Sequence, residues 1–214
     1  MDYKQLIVES GLNLMQRGLT VETWGNISAR DPETGKIYLT PSAMSYDIIT
    51  PDDIVVMDED GKVLEGTRKA TIEWPLHTAV YKARKDINAI IHTHPIHSQV
   101  FGVLHRDIPV IIDEAAQVFG EPVRVTEYAL PGTEKLAEET VRCIGEKNVA
   151  CILANHGAVC CGRDMKAAFK TCTVLEMTAE IYYKALAIGT PFEEDSADVA
   201  FMKDFADHKY GQGK

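Results

Sequence analysis

The sequence predicts one α/β or α+β sandwich, and three observations carry that prediction. Short apolar strands flanking turn sequences recur as hairpins, helical apolar stripes are interleaved with them along the whole chain, and no G-x-G-x-x-G or phosphate-binding P-loop follows a strand. The first two point away from a doubly wound parallel sheet, and the third removes support for nicotinamide or ATP chemistry. At 214 residues the chain suits a single domain spanning 1–214 that buries its core without disulfides or a structural metal. Its acidic and then Gly-rich end, about 195–214, reads as a mobile tail.

The elements follow in order. Tyr3, Leu6, Ile7, Gly11 and Leu14 recur at helical spacing, so residues 2–17 read as a helix that Gly18 ends. Residues 27–30 and 36–39 flank Asp31-Pro32-Glu33-Thr34-Gly35 as one hairpin, and 53–57 and 62–64 flank Asp58-Glu59-Asp60-Gly61 as another. Residues 74–84 are helical, with Pro75 in the first turn where its missing N–H costs nothing. Residues 89–93 form an apolar strand, 95–104 a helix and 123–126 a short strand. Thr133 opens a helix carrying Leu136, Val141 and Ile144. Strands at 149–153 and 158–161 enclose Asn155-His156-Gly157. Asp164 caps a long helix to about residue 188, striped by Ala168, Cys172, Leu175, Ala179, Tyr182 and Leu186.

Composition narrows the function. A net charge of −10 argues against a protein that grips nucleic acid or an anionic membrane, and no apolar run reaches transmembrane length. The polar start, Met1-Asp2-Tyr3-Lys4-Gln5, lacks a signal peptide's basic and apolar regions. Five cysteines crowded into the last third read as free thiols, so a cytoplasmic setting is expected.

Four features carry candidate chemistry. His92 and His94 alternate onto one face of a strand end, where two imidazoles can share a metal ion; the plain alternative is two polar residues at a strand end. His156 sits in a tight turn at a sheet rim, as a third ligand or as a turn residue satisfied by backbone. Three histidines on a divalent ion leave the open position of a catalytic site. Glu73 precedes a helix, as a terminal charge or as a general base or fourth ligand beside a metal. The runs Thr23 to Ser28 and Thr40-Pro41-Ser42 offer uncharged donors that either cradle a phosphate or make ordinary turns. His77, one helical turn after Glu73, either supports the site or is a core or surface histidine.

Gly25-Asn26-Ile27-Ser28, Thr40-Pro41-Ser42, Glu73-Trp74 with His77, His92-Thr93-His94-Pro95 and Asn155-His156-Gly157 together resemble the class II aldolase/adducin-head family, in its L-fuculose-1-phosphate aldolase branch. The resemblance covers about residues 2–190 and implies a three-layer α/β sandwich with a central, largely antiparallel sheet. It implies a homotetramer with active sites between subunits, taking a small phosphorylated sugar as partner. His92, His94 and His156 match the family's metal ligands, usually for Zn²⁺, with Mn²⁺ or another divalent ion as options. Glu73 matches the acid/base carboxylate, also a potential fourth ligand, and Gly25, Asn26, Ser42, Ala43 and Thr71 match phosphate-holding positions. Ala43 replaces a common glycine and Ile72 a common serine. An interfacial tyrosine of the branch has no counterpart after Ile108-Pro109, so its role is expected to be empty or to pass to Asp113, Glu114 or the tail's Tyr210; the plain alternative for Asp113 and Glu114 is a solvated pair of carboxylates on a loop. The implied reaction is aldol cleavage of a ketose 1-phosphate to dihydroxyacetone phosphate and a small aldehyde through a metal-stabilised enediolate. The same fold also serves sugar-phosphate 4-epimerases, methylthioribulose-1-phosphate dehydratases, keto-tetronate-phosphate decarboxylases and non-catalytic adducin-type interaction modules.

Overall fold

A computed structural model describes residues 1–211. Among the described residues seven strands form one sheet: β1 (Asn26–Arg30), β2 (Ile37–Leu39), β3 (Val55–Met57), β4 (Val63–Glu65), β5 (Ala89–Thr93), β6 (Ala150–Leu153) and β7 (Gly157–Gly162). They lie in the order β4-β3-β2-β1-β5-β7-β6, and every neighbouring pair is antiparallel. The helices are α1 (Tyr3–Gln16), α2 (Trp74–Ala83), α3 (Ile96–Leu104), α4 (Asp113–Val118), α5 (Glu134–Ile144), α6 (Met165–Ile188) and α7 (Ser196–His208).

Strand alternation divides the core in two. Ile27, Ala29, Ala89, Ile91 and Cys160 pack on the side of α1, α3, α4, α6 and α7, around Ile7, Phe101, Phe169 and Leu175. Ile37, Leu39, Ile90, Cys151, Val159 and Cys161 pack on the side of α2 and α5, around Leu76, Val80, Leu136 and Ile144. This is the expected three-layer sandwich. All five cysteines are buried free thiols.

Local chemistry sets the helix ends as the sequence suggests. The side chains of Asp2, Thr133 and Asp164 accept from backbone N–H groups in the first turns of α1, α5 and α6. Gly18, with φ +65°, follows the end of α1 in the left-handed conformation that stops it.

Three expectations change. Residues 123–126 form no strand: Val123 makes an isolated bridge to Ile108 and Val125 one to Ile152. Side chains end the ladder there, since the Asp107 carboxylate accepts from Val125 N and Thr126 Oγ1 from Ala154 N. Asp113 and Glu114, read as part of a loop, open the six-residue α4, too short to show a period. The segment read as a tail is helical over Ser196–His208, capped by Asp195, with Val199 buried on the core; its last residues, 212–214, lie outside the described residues.

Candidate metal and substrate site

The site forms where β5 ends between β1 and β7. Sheet register sets Asn26 opposite His92 on one side and Val159 opposite His92 on the other. His94 follows β5, and His156 lies in the β6–β7 turn beside Asn155, whose φ of +55° is one Asn tolerates. Two glycines permit the close approach. A Cβ on Gly157 would lie 2.5 Å from the Thr93 carbonyl oxygen, and one on Gly25 would lie 2.6 Å from that of His92. Gly25 also holds φ +81°, which other residues adopt only with strain.

The three imidazoles converge, with ring centroids 4.7, 4.8 and 5.0 Å apart. Among the described residues, His92, His94 and His156 form the one cluster of three or more ligating groups with donor atoms within 4.8 Å of one another. His92 Nδ1–H donates to the Ala158 carbonyl at 3.0 Å, which leaves Nε2 with its lone pair toward the cluster. That Nε2 stands 3.0 Å from His94 Nε2. Burial pushes the pKa of His92 down to about 4. Burial, then the neighbouring imidazoles, lowers His94 to about 3 and His156 to about 4, against an opposing pull from Glu73. Three neutral imidazoles therefore face one point.

Glu73 completes the group. It caps α2 and is buried. Its Oε2 lies 3.2 Å from His92 Nε2 and accepts from Asn26 Nδ2 at 2.8 Å. Its Oε1 lies 3.6 Å from His156 Nε2 and is buried without a hydrogen-bond partner. An N₃O set with one orphaned carboxylate oxygen fits a divalent ion of the zinc type. Two nitrogens each about 2.0–2.1 Å from a tetrahedral Zn²⁺ stand about 3.3 Å apart, close to the His92–His94 separation.

These residues open into a cavity of about 460 Å³. Gly25, Asn26, Ser42, Ala43 and Thr71 all line it, so the structure brings together every predicted phosphate position with Glu73, His94 and His156. No Lys or Arg lines it among the described residues; its polar lining consists of hydroxyls, amides and the Glu73, His94 and His156 groups. Ala43 has φ +54°, which explains why glycine is the easier residue there. Two larger clefts, of about 640 and 620 Å³, lie elsewhere and hold no such histidine cluster.

Asp113 and Tyr210 are not brought to this cavity within the chain. Asp113 is exposed at the start of α4, and Tyr210 is exposed beside Phe205. Sequence reasoning missed Tyr46, which lines the cavity, is 3% exposed and lies so close to α1 that a Cβ on Gly11 would stand 2.5 Å from its ring. Burial and then Glu73 push its phenol pKa up, so it stays a donor. Its sequence signal is absent: Tyr46 sits in an irregular loop with no period to mark it inward. Trp24, whose ring stacks on His94 with centroids 6.4 Å apart, also lines the cavity.

Fold and site together define a class II aldolase-type protein, and sequence comparison agrees: residues 5–183 match the family described as Class II Aldolase and Adducin N-terminal domain. The chain belongs to that family. It is 35% identical over 188 residues to a 5-deoxy-D-ribulose 1-phosphate aldolase of Bacillus thuringiensis serovar kurstaki, covering 88% of this chain and 87% of the relative. It is 38% identical over 181 residues to an L-fuculose phosphate aldolase of Methanocaldococcus jannaschii, covering 85% and 95%. A solved structure of an L-fuculose 1-phosphate aldolase superposes with TM-score 0.92 at 36% identity, over 95% of each chain. The chain is thus an enzyme of the aldolase type, a lyase.

Proposed function

We propose that this protein is a divalent-metal-dependent aldolase that cleaves a ketose 1-phosphate to dihydroxyacetone phosphate and a small aldehyde. The observation that carries the reading is the convergence of three neutral imidazoles and the Glu73 carboxylate beside a cavity that uncharged hydroxyl and amide groups also line. His92, His94 and His156 would hold the metal, Zn²⁺ by donor type, with Mn²⁺ as an alternative. When bound, the ion supplies Lewis-acid stabilisation of negative charge on the substrate's oxygens.

Gly25, Asn26, Ser42, Ala43 and Thr71 hold the phosphate and fix the three-carbon half. Glu73 takes and returns the proton at the carbon that becomes the product's hydroxymethyl group. The relatives' names share a phosphorylated ketose and differ in the aldehyde half. Trp24, Met44, Ile72 and Pro131 line the cavity and suit an aldehyde with an apolar end. Asp113 and Tyr210 would act only if a neighbouring copy supplied them, and we propose the homotetramer with sites between subunits that the family resemblance implies. Among the described residues no helix is long and apolar enough to cross a membrane. The five buried free thiols support a cytoplasmic setting.

A coupled assay for dihydroxyacetone phosphate tests the reading, with fuculose, rhamnulose, ribulose, 5-deoxyribulose and methylthioribulose 1-phosphates and with Zn²⁺, Mn²⁺ or EDTA. Metal-dependent release from at least one is expected. No release from any, by folded metal-loaded protein, overturns it in favour of epimerase, dehydratase or decarboxylase chemistry. Asp113→Asn and Tyr210→Phe are expected to slow turnover without loss of metal.

A further inference from the structure

Behind Glu73 a line of buried polar groups runs into the core between α2 and β1. Glu73, His77 and Tyr81 lie four residues apart, the first capping α2 and the others on one helix face. Asn26, Ser28 and Arg30 lie two apart on one face of β1. Four helical residues advance about 6 Å, and two strand residues about 6.6 Å, so the two series keep step as rungs.

The rungs are hydrogen bonds. Asn26 meets Glu73 Oε2 at 2.8 Å through its amide nitrogen and meets His77 Nε2 through Oδ1. His77 Nδ1 lies 2.6 Å from Ser28 Oγ, which lies 2.8 Å from the Tyr81 hydroxyl. All five residues are buried. At the far end the Arg30 guanidinium lies 4.9 Å from the Tyr81 ring and donates to the carbonyls of Tyr81, Arg84, Lys85 and Ile87, which anchors the line to the end of α2.

One proton arrangement satisfies every hydrogen bond of the line. An ionised carboxylate only accepts, so the Asn26 N–H must face Glu73. Its Oδ1 then needs a donor, which makes His77 the Nε2–H tautomer. The bare Nδ1 accepts from Ser28 O–H, and Ser28 accepts from Tyr81 O–H. Burial lowers His77 to about 3 and raises Tyr81, which keeps the first neutral and the second protonated.

We propose that His77 is a positioning residue: it locks the Asn26 amide so that one oxygen of Glu73, Oε2, is pinned, and the other, Oε1, is the atom that takes and returns the substrate proton. The proposal rests on the acid/base role given to Glu73 above. Oε1 is the oxygen left buried without a protein partner, and it is the one turned toward His156. If His77 adopted the other tautomer, two acceptors would face each other and the amide would turn its oxygen to Glu73.

Two readouts test this. The first is the ¹⁵N spectrum of the wild-type imidazoles, with the His77 signals assigned by their loss in His77→Gln. The Nε2–H tautomer is expected with and without Zn²⁺; the Nδ1–H tautomer or the cation overturns the proposal whatever the reaction proves to be. The second is exchange of the hydroxymethyl C–H of dihydroxyacetone phosphate with deuterium oxide. His77→Leu is expected to lower kcat for exchange by about 10- to 100-fold, with KM within about twofold and zinc content unchanged. His77→Gln, which keeps a donor toward Asn26, is expected to restore most of the loss. Equal loss in both variants, parallel loss of zinc and KM, or no loss in His77→Leu overturns the positioning role. Should His77→Leu not fold, Ser28→Ala frees the tautomer and is expected to slow exchange by about 3- to 10-fold; an unchanged rate overturns the proposal. No exchange by the wild-type protein would instead count against the aldolase reading and leave the tautomer result standing.

Discussion

The two walls of the cavity are built differently. On the histidine wall, sheet register, two close-packed glycines and a backbone carbonyl fix each group, and the Ala158 oxygen even selects the His92 tautomer. On the opposite wall, loops carry the groups: Ser42 and Ala43 lie between β2 and β3, and Thr71 and Ile72 lie before α2. That wall has an exposed isoleucine at its rim. The wall proposed to run the chemistry is set by the scaffold, and the wall proposed to choose the substrate is set by loops free to vary.

The largest effect is expected from breaking the histidine wall. His94→Ala should abolish stoichiometric zinc and lower turnover by about a thousandfold or more, since the Lewis acid goes with the ligand. Metal analysis beside the coupled assay checks it; turnover that survives loss of the metal would show that the rigid wall is not the reacting one. Glu73→Gln comes next. It should keep the zinc while slowing C–H exchange by about 10²- to 10⁴-fold. Unimpaired exchange would move the proton transfer to another group.

The histidine wall and the buried His77 behind it should also mark the pH dependence of the metal-free protein. His77, His92, His94 and His156 all have folded pKa values below the ordinary value of 6.5, at about 3, 4, 3 and 4. The unfolded chain therefore binds more protons than the folded one between pH 6.5 and about 4. Stability is unaffected by these groups above 6.5 and declines as pH falls through that window, by up to about 1.4 kcal/mol per pH unit for each histidine. Urea unfolding of EDTA-treated protein should show lower stability at pH 5 than at pH 7. Equal stability would mean that the imidazoles are solvated before the metal arrives.

What the sequence made legible follows the same division. The His92–His94 pair could be read because a strand repeats every two residues, and the hairpins and caps because Asp, Gly and Thr act locally. The meeting of His156 with that pair, across 62 positions, is a product of strand order and came from the resemblance rather than from periodicity. Tyr46 was invisible because an irregular loop has no period, and α4 because six residues span fewer than two helical turns. The short strand expected at 123–126 failed because Asp107 and Thr126 side chains satisfy amides that a longer ladder would have used. The rungs linking Asn26, Ser28, His77 and Tyr81 were open to arithmetic, but only once the sheet had set β1 beneath α2.

The smallest expected effect lies on the loop wall, and it sharpens the comparison most. Ala43 holds φ +54°, where a side chain costs roughly 1–2 kcal/mol relative to the right-handed region. Ala43→Gly removes that strain and adds backbone entropy to the unfolded chain, worth about 0.4–1 kcal/mol in the opposite direction. Net stabilisation should be about 0–1.6 kcal/mol, measured by urea unfolding at pH 7. The Cβ that Gly lacks borders the proposed phosphate pocket, so KM should change while kcat and zinc content hold. A fall in kcat with KM unchanged would mean that this loop also orders the reacting atoms, and the division between a chemical wall and a substrate wall would fail.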